Sequence, residues 1–327
     1  MRRLLLGASI GIVALALIAV PLNLVELNPG PALDVPSQIG FGGPARPVRG
    51  KLLLTTVTIT QPSAVGALDA LVTPHHELLW QTQVIPPGVN EQEYLASQVQ
   101  VFQESAQAAA AVGLRAAGYP VSVSGGGVQV VGVISGSPAD GKLKVGDTIT
   151  AIDGRSIQLA SDLQAATEKA VGGQTVTLTV VRGDQQLRVP VQLRRLSQTG
   201  RPGLGVALRT ITPKVQLPFP VTVKNQDIGG PSAGLMMALG IYSLASGDDL
   251  ARGQVVAGTG TIDVNGTVGP VGGVAEKIVG AEQQGARIFL VPTSEAADAR
   301  SAGLSDVKIV PVDTFDQAKA ALKARLP

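Results

Sequence analysis

Apolar and polar positions fall into four blocks along this chain of 327 residues. After Met1-Arg2-Arg3 comes an uncharged run from Leu4 to Val20 that continues past Pro21 to Val25. As a helix it would measure about 26–30 Å, enough to cross a bilayer core. Residues 26–50 are rich in proline and glycine, the composition of a linker. The block 119–196 reads as short strands. Val128–Val133 is an apolar strand, and Leu143–Ile152 is a strand closed by the turn pair Asp153-Gly154. A helix is predicted from about Ser161 to Ala170, and Val176–Val181 with Leu187–Leu193 predict a hairpin around Arg182-Gly183-Asp184. Further on, Leu235, Met236, Leu239, Ile241 and Leu244 give apolar faces to a helix from Ser232 to about Ala245. Another helix opens after the glycine-rich turn 269–273, with Val274, Ala275, Ile278 and Val279 surrounding Lys277.

Composition narrows the function classes. Lysine plus arginine (26) nearly balance aspartate plus glutamate (24), without a basic stripe or an aromatic platform, which argues against a nucleic-acid partner. Aromatics make up 3% of the chain, so its cores are built from small aliphatics. The length allows two compact domains plus an anchor. There is no cysteine, hence no thiol catalysis, and no metal-binding constellation or need for a cofactor is evident. No Gly-x-x-x-x-Gly-Lys-[Ser/Thr] loop occurs, so no ATPase motor is expected.

Candidate chemistry centres on Gly229-Gly230-Pro231-Ser232-Ala233-Gly234. Two glycines allow a tight turn, and proline suits the first turn of a helix. A serine there sits in the positive field of the helix N-terminus, where the amides of Gly230, Ser232 and Ala233 could hold an oxyanion. Such a stretch is equally a plain turn into a helix, so a general base has to decide. The two histidines, His75-His76, are adjacent, lack a His-Glu-x-x-His pattern and read as surface or turn residues. Lys277 remains. Burial would lower its pKa towards the 7–8 that a base requires, whereas a lysine that snorkels to water would keep its charge.

Together the two segments resemble the serine–lysine dyad of the Lon protease family. Gly230–Gly234 matches its Gly-Pro-Ser-Ala-Gly, and Gly272-Gly273-Val274-Ala275-Glu276-Lys277 matches the context of its lysine. The turn 257–262 matches a segment whose threonine bonds the lysine, which assigns that role to Thr259. The likeness extends to a strand at 51–57, a helix at 103–109, strands at 286–292 and 308–312 and a helix at 315–322, covering 51–118 and 197–327. Gly229 departs from the aspartate common in the family, and the nearest acid is Asp227. The block 119–196, with Ser137-Pro138-Ala139 and Leu143-x-x-Gly146-Asp147-x-Ile149, resembles a PDZ domain of the kind attached to bacterial proteases. The resemblance implies peptide binding by strand addition, with a carboxylate loop near Gly118-Tyr119-Pro120-Val121.

The expectation is an α/β (α+β) Lon-type proteolytic domain with an inserted, mainly-β PDZ domain and an N-terminal transmembrane helix over residues 1–25. A cleavable signal peptide competes with the anchor, but the nearest Ala-x-Ala, Ala14-Leu15-Ala16, lies inside the apolar run. Arg2 and Arg3 point the N-terminus inward, giving a single-pass plasma-membrane protein with an extracytoplasmic catalytic domain. The resemblance implies an ATP-independent serine endopeptidase acting on protein or peptide substrates, with the lipid bilayer as a partner and a hexameric homo-oligomer. The alternative is a membrane-tethered PDZ scaffold whose protease fold is inactive.

Overall fold

The computed structural model describes residues 22–86, 88–168, 170–171, 173–196, 202–211, 214–224 and 228–324. In chain order the main elements are β1 (Leu24–Asp34), β2 (Ile39–Phe41), β3 (Lys51–Thr60), α1 (Ala64–Ala70), β4 (Glu77–Trp80) and α2 (Glu91–Ala116). Next come β5 (Val128–Val133), β6 (Thr148–Ile152), α3 (Ala160–Glu168), β7 (Thr175–Arg182), β8 (Gln185–Gln192) and β9 (Val206–Thr210). The chain closes with β10 (Val221–Val223), α4 (Gly234–Ser246), β11 (Val255–Gly258), α5 (Val274–Gln283), β12 (Ile288–Pro292), α6 (Ala296–Ser301), β13 (Lys308–Val312) and α7 (Phe315–Lys323). They form two units, 1–121 with 217–327, and 122–216.

The first unit is built on a mixed sheet in the order β13-β12-β11-β3-β1-β4. The strands from β13 to β3 run parallel, while β1 is antiparallel to both β3 and β4. Leu52, Leu53 and Leu54 are consecutive and all buried, as expected of a central strand covered on both faces. Helix α4 is buried from Gly234 through Ala245, so it is a core helix rather than an amphipathic one. It packs against the small-residue half of α2, where a side chain on Gly113 would meet the Ala238 carbonyl at 2.7 Å.

Several boundaries differ from expectation. The stretch 26–50, expected as a linker, carries most of β1 and all of β2. The run Pro29-Gly30-Pro31 reads as a loop, yet β1 absorbs it in a register shift between Pro29 and Ala32 and then pairs with β3 again. Since Leu24 and Val25 belong to β1, an anchor ends before them. Most of the anchor segment, residues 1–21, lies outside the described residues. The described helices include none that is long and apolar enough to cross a membrane.

The second unit carries an antiparallel sheet in the order β8-β7-β6-β5-β9 around a core that includes Val130, Ile149, Leu163, Leu178 and Val191. The turn after β6 has positive φ at both Asp153 (48°) and Gly154 (79°), as a two-residue hairpin turn demands. Arg182 grips the buried carboxylate of Asp147 through two bonds of 2.7 Å. This unit does not stop at 196: β9 returns to pair with β5, carrying the domain to residue 216.

Candidate active site

The serine loop is stitched to the end of β11. The Ser232 carbonyl accepts bonds from Gly260 N–H (2.9 Å) and Thr259 Oγ1 (3.2 Å), and Leu235 N–H donates to the Gly260 carbonyl (3.0 Å). Gly258 lets α4 close on this strand, because a Cβ there would meet Met236 Sδ at 2.9 Å. From the other side, Ser105 Oγ on α2 donates to the Pro231 carbonyl (3.1 Å). Helix α4 begins at Gly234, so Ser232 sits two residues before its first turn, partly exposed.

The three amides expected to face an oxyanion divide. Gly230 N–H is already committed to the Gln98 carbonyl on α2 at 3.0 Å and is removed from the set. Ser232 N–H and Ala233 N–H have no acceptor among the described residues. Thr259 also differs from expectation. Its hydroxyl donates to the Ser232 carbonyl and not to Lys277, so it braces the Ser232 backbone. It is fully buried, with its own amide on the Leu290 carbonyl (2.9 Å).

Lys277 lies one turn into α5 and is only 4% exposed. Gly273, at φ 65°, caps the helix, and Lys277 Nζ donates to the Gly272 carbonyl at 2.7 Å. Burial lowers its pKa from 10.5 to about 8, opposed by the carboxylates of Glu295 and Glu276. Those two acids are themselves shifted upward by burial. Helix α5 packs on β1, β3 and β11, the strand whose end carries Thr259. Lys277 makes no hydrogen bond to Ser232 in this structure; the two are linked through the β11 edge.

Residues 214–324 match the Lon protease (S16) C-terminal proteolytic domain, and residues 109–193 match the PDZ domain. The chain thus carries a segment matching the Lon proteolytic domain beside one matching the PDZ domain, and it resembles a PDZ-containing Lon-like protease. Lon protease 2 of Bacillus subtilis strain 168 is 40% identical over 90 residues, covering 28% of this chain and 16% of that protein. The Lon protease of Mycolicibacterium smegmatis is 32% identical over 113 residues, 35% of this chain and 13% of that protein. The Lon-like chain thus spans about a sixth or less of the length of these relatives. Among solved structures, the PDZ domain of the SdrC-like protein from Listeria monocytogenes is 30% identical over 25% of this chain and 86% of that one, with a TM-score of 0.24.

The Gly229 departure from the Lon pattern has a steric counterpart. A Cβ at this position would stand 2.9 Å from the Gln98 Cβ, so an acid there would require α2 to shift. Asp227 lies outside the described residues. His76 is held by Glu26 at 2.6 Å and His75 sits in a turn at φ 63°; among the described residues neither is hydrogen-bonded to the serine loop.

The segment expected to form the carboxylate loop closes α2. Gly118, at φ 87°, and Tyr119 end α2 in a Schellman motif, with Gly118 N–H on the Arg115 carbonyl and Tyr119 N–H on the Leu114 carbonyl, both at 3.0 Å. Tyr119 then packs edge-on against Phe219 at 5.2 Å, and Gly118 through Val121 belong to the first unit. Within the PDZ unit, the free sheet edge among the described residues next to a helix is β9, beside α3. It is preceded by Gly203-Leu204-Gly205, where Gly205 has φ 74° and its carbonyl accepts from Ile134 N–H (2.9 Å). Gly203-Leu204-Gly205 directly before Val206–Thr210 is the one local pattern in the sequence that accompanies this edge.

Proposed function

We propose that this chain is an ATP-independent serine endopeptidase of the Lon type, anchored in the plasma membrane with its catalytic unit outside the cytoplasm. Ser232 Oγ attacks the scissile carbonyl as neutral Lys277 takes its proton. The lysine then gives that proton to the leaving amine, and a water, activated by the same lysine, releases the acyl group. Ser232 and Ala233 amides hold the oxyanion, and Thr259 keeps the serine backbone in register. A neutral amine can donate one N–H to the Gly272 carbonyl and still present a lone pair, which suits the observed bond. The observation that carries this reading is the buried lysine, bonded among the described residues to a carbonyl, in one unit with a serine just before a helix, where the amides of Ser232 and Ala233 have no acceptor among the described residues.

The β9 edge beside α3 would recruit an extended substrate segment by strand addition. Without an ATPase segment in this sequence, substrate has to arrive already flexible. In nucleotide-free buffer, the purified protein should cleave unfolded casein and spare a ligand-stabilised folded protein. Equal cleavage of that protein with and without its ligand would contradict the proposal.

A further inference from the structure

Helix α1 is inside out. It buries Ala67 and Ala70 while leaving Val65 and Leu68 exposed, and the two residues that follow it, Leu71 and Val72, are 71% and 79% exposed. Trp80, at the end of β4 against which α1 packs, is 63% exposed. In water the large side chains would be the ones buried, so this arrangement points to an apolar covering.

The path of the chain says what covers it. In β1, Leu24 pairs with Trp80, and the Asn23 carbonyl accepts from Gln81 N–H at 3.0 Å. The uncharged run Leu4–Val20 ends three residues before Asn23. An anchor in that run therefore delivers the chain to the bilayer surface beside Trp80, where a tryptophan ring is at home in the interface. From 61 to 80 the charged residues are Asp69 and Glu77, with no lysine or arginine, so attraction to anionic headgroups is not the force at work.

We infer that the α1–β4 face rests on the lipid bilayer, with Leu68, Leu71, Val72 and Trp80 dipping into the headgroup–acyl boundary. The anchor and this face together fix which side of the catalytic unit meets the membrane. This rests on the anchored reading proposed above.

Trp80 is the only tryptophan in the chain and reports on its own surroundings. The full-length protein would be reconstituted into phosphatidylcholine vesicles, floated on a density gradient, and its emission read with brominated lipids and with aqueous iodide. The expected result is co-flotation, blue-shifted emission, loss of emission with bromines placed shallow in the acyl chains, and shielding from iodide. The double variant Leu68→Glu, Leu71→Glu should still float but lose much of the bromine quenching. Co-flotation with Trp80 open to iodide would overturn the inference. So would shielding from both quenchers, the signature of cover by a second copy or by the chain's own N-terminal segment. Failure to float would overturn the anchored reading itself, and the membrane face with it.

Discussion

Holding an ammonium at Lys277 costs folding free energy. A drop from 10.5 to about 8 corresponds to about 3 kcal/mol disfavouring the charged form in the folded state. Between those two values the unfolded chain binds more protons, so the stability of the first unit should climb as pH rises through this window. Lys277→Met should therefore be more stable than wild type at pH 7, by about 1–3 kcal/mol after losing the bond to Gly272. The advantage should fade towards pH 10.5, and denaturant unfolding at pH 7 and pH 10 measures both. A variant less stable than wild type at pH 7 would mean that the lysine is a structural residue. The same titration makes roughly a tenth of Lys277 neutral at pH 7, so peptide cleavage should rise with pH through about 8. At this scale the turn into α4 was legible, because Gly229 through Ser232 make a local pattern. The bonding choices of Thr259 and Gly230 were not, since their partners Ser232 and Gln98 are separated from them by long stretches of chain.

The position of α5 depends on a bare backbone. A Cβ on Gly280 would lie 2.3 Å from the Gly30 carbonyl, at the irregular point of β1. Gly280→Ala should push the helix off the sheet, costing about 1–3 kcal/mol and lowering the melting temperature by about 2–12 °C. Because Lys277 lies one turn earlier on that helix, cleavage should fall more than the loss of folded protein explains; calorimetry and rate measurements on one preparation test this. Unchanged melting would show that the contact is slack. The strand it touches was the least legible element, because Pro29 and Pro31 mask its alternation. Helix α4 lay at the other extreme, announced by its apolar residues and closed in the structure by Gly247 in the αL conformation. The stop at Gly118 was masked by a loop reading borrowed from the PDZ likeness. β9 escaped because five residues say little until β5 offers them an edge.

At the scale of the molecule, a PDZ unit interrupts a proteolytic unit without splitting its core. Tyr119 and Phe219, close to where the chain leaves and re-enters the first unit, are in ring contact, so the insertion begins and ends at neighbouring points. This is the arrangement that tolerates an inserted domain. The first unit keeps both halves of the proposed dyad, Ser232 and Lys277, on its own elements. The central claim is that these two side chains perform the cleavage. The most direct measurement compares the intact wild-type protein with Ser232→Ala and Lys277→Ala, at equal folded concentration, on unfolded casein without nucleotide. The account predicts cleavage by wild type and its loss in both variants, by about a thousandfold or more. Cleavage that survives either substitution, or none by wild type at any pH from 7 to 9, would contradict it.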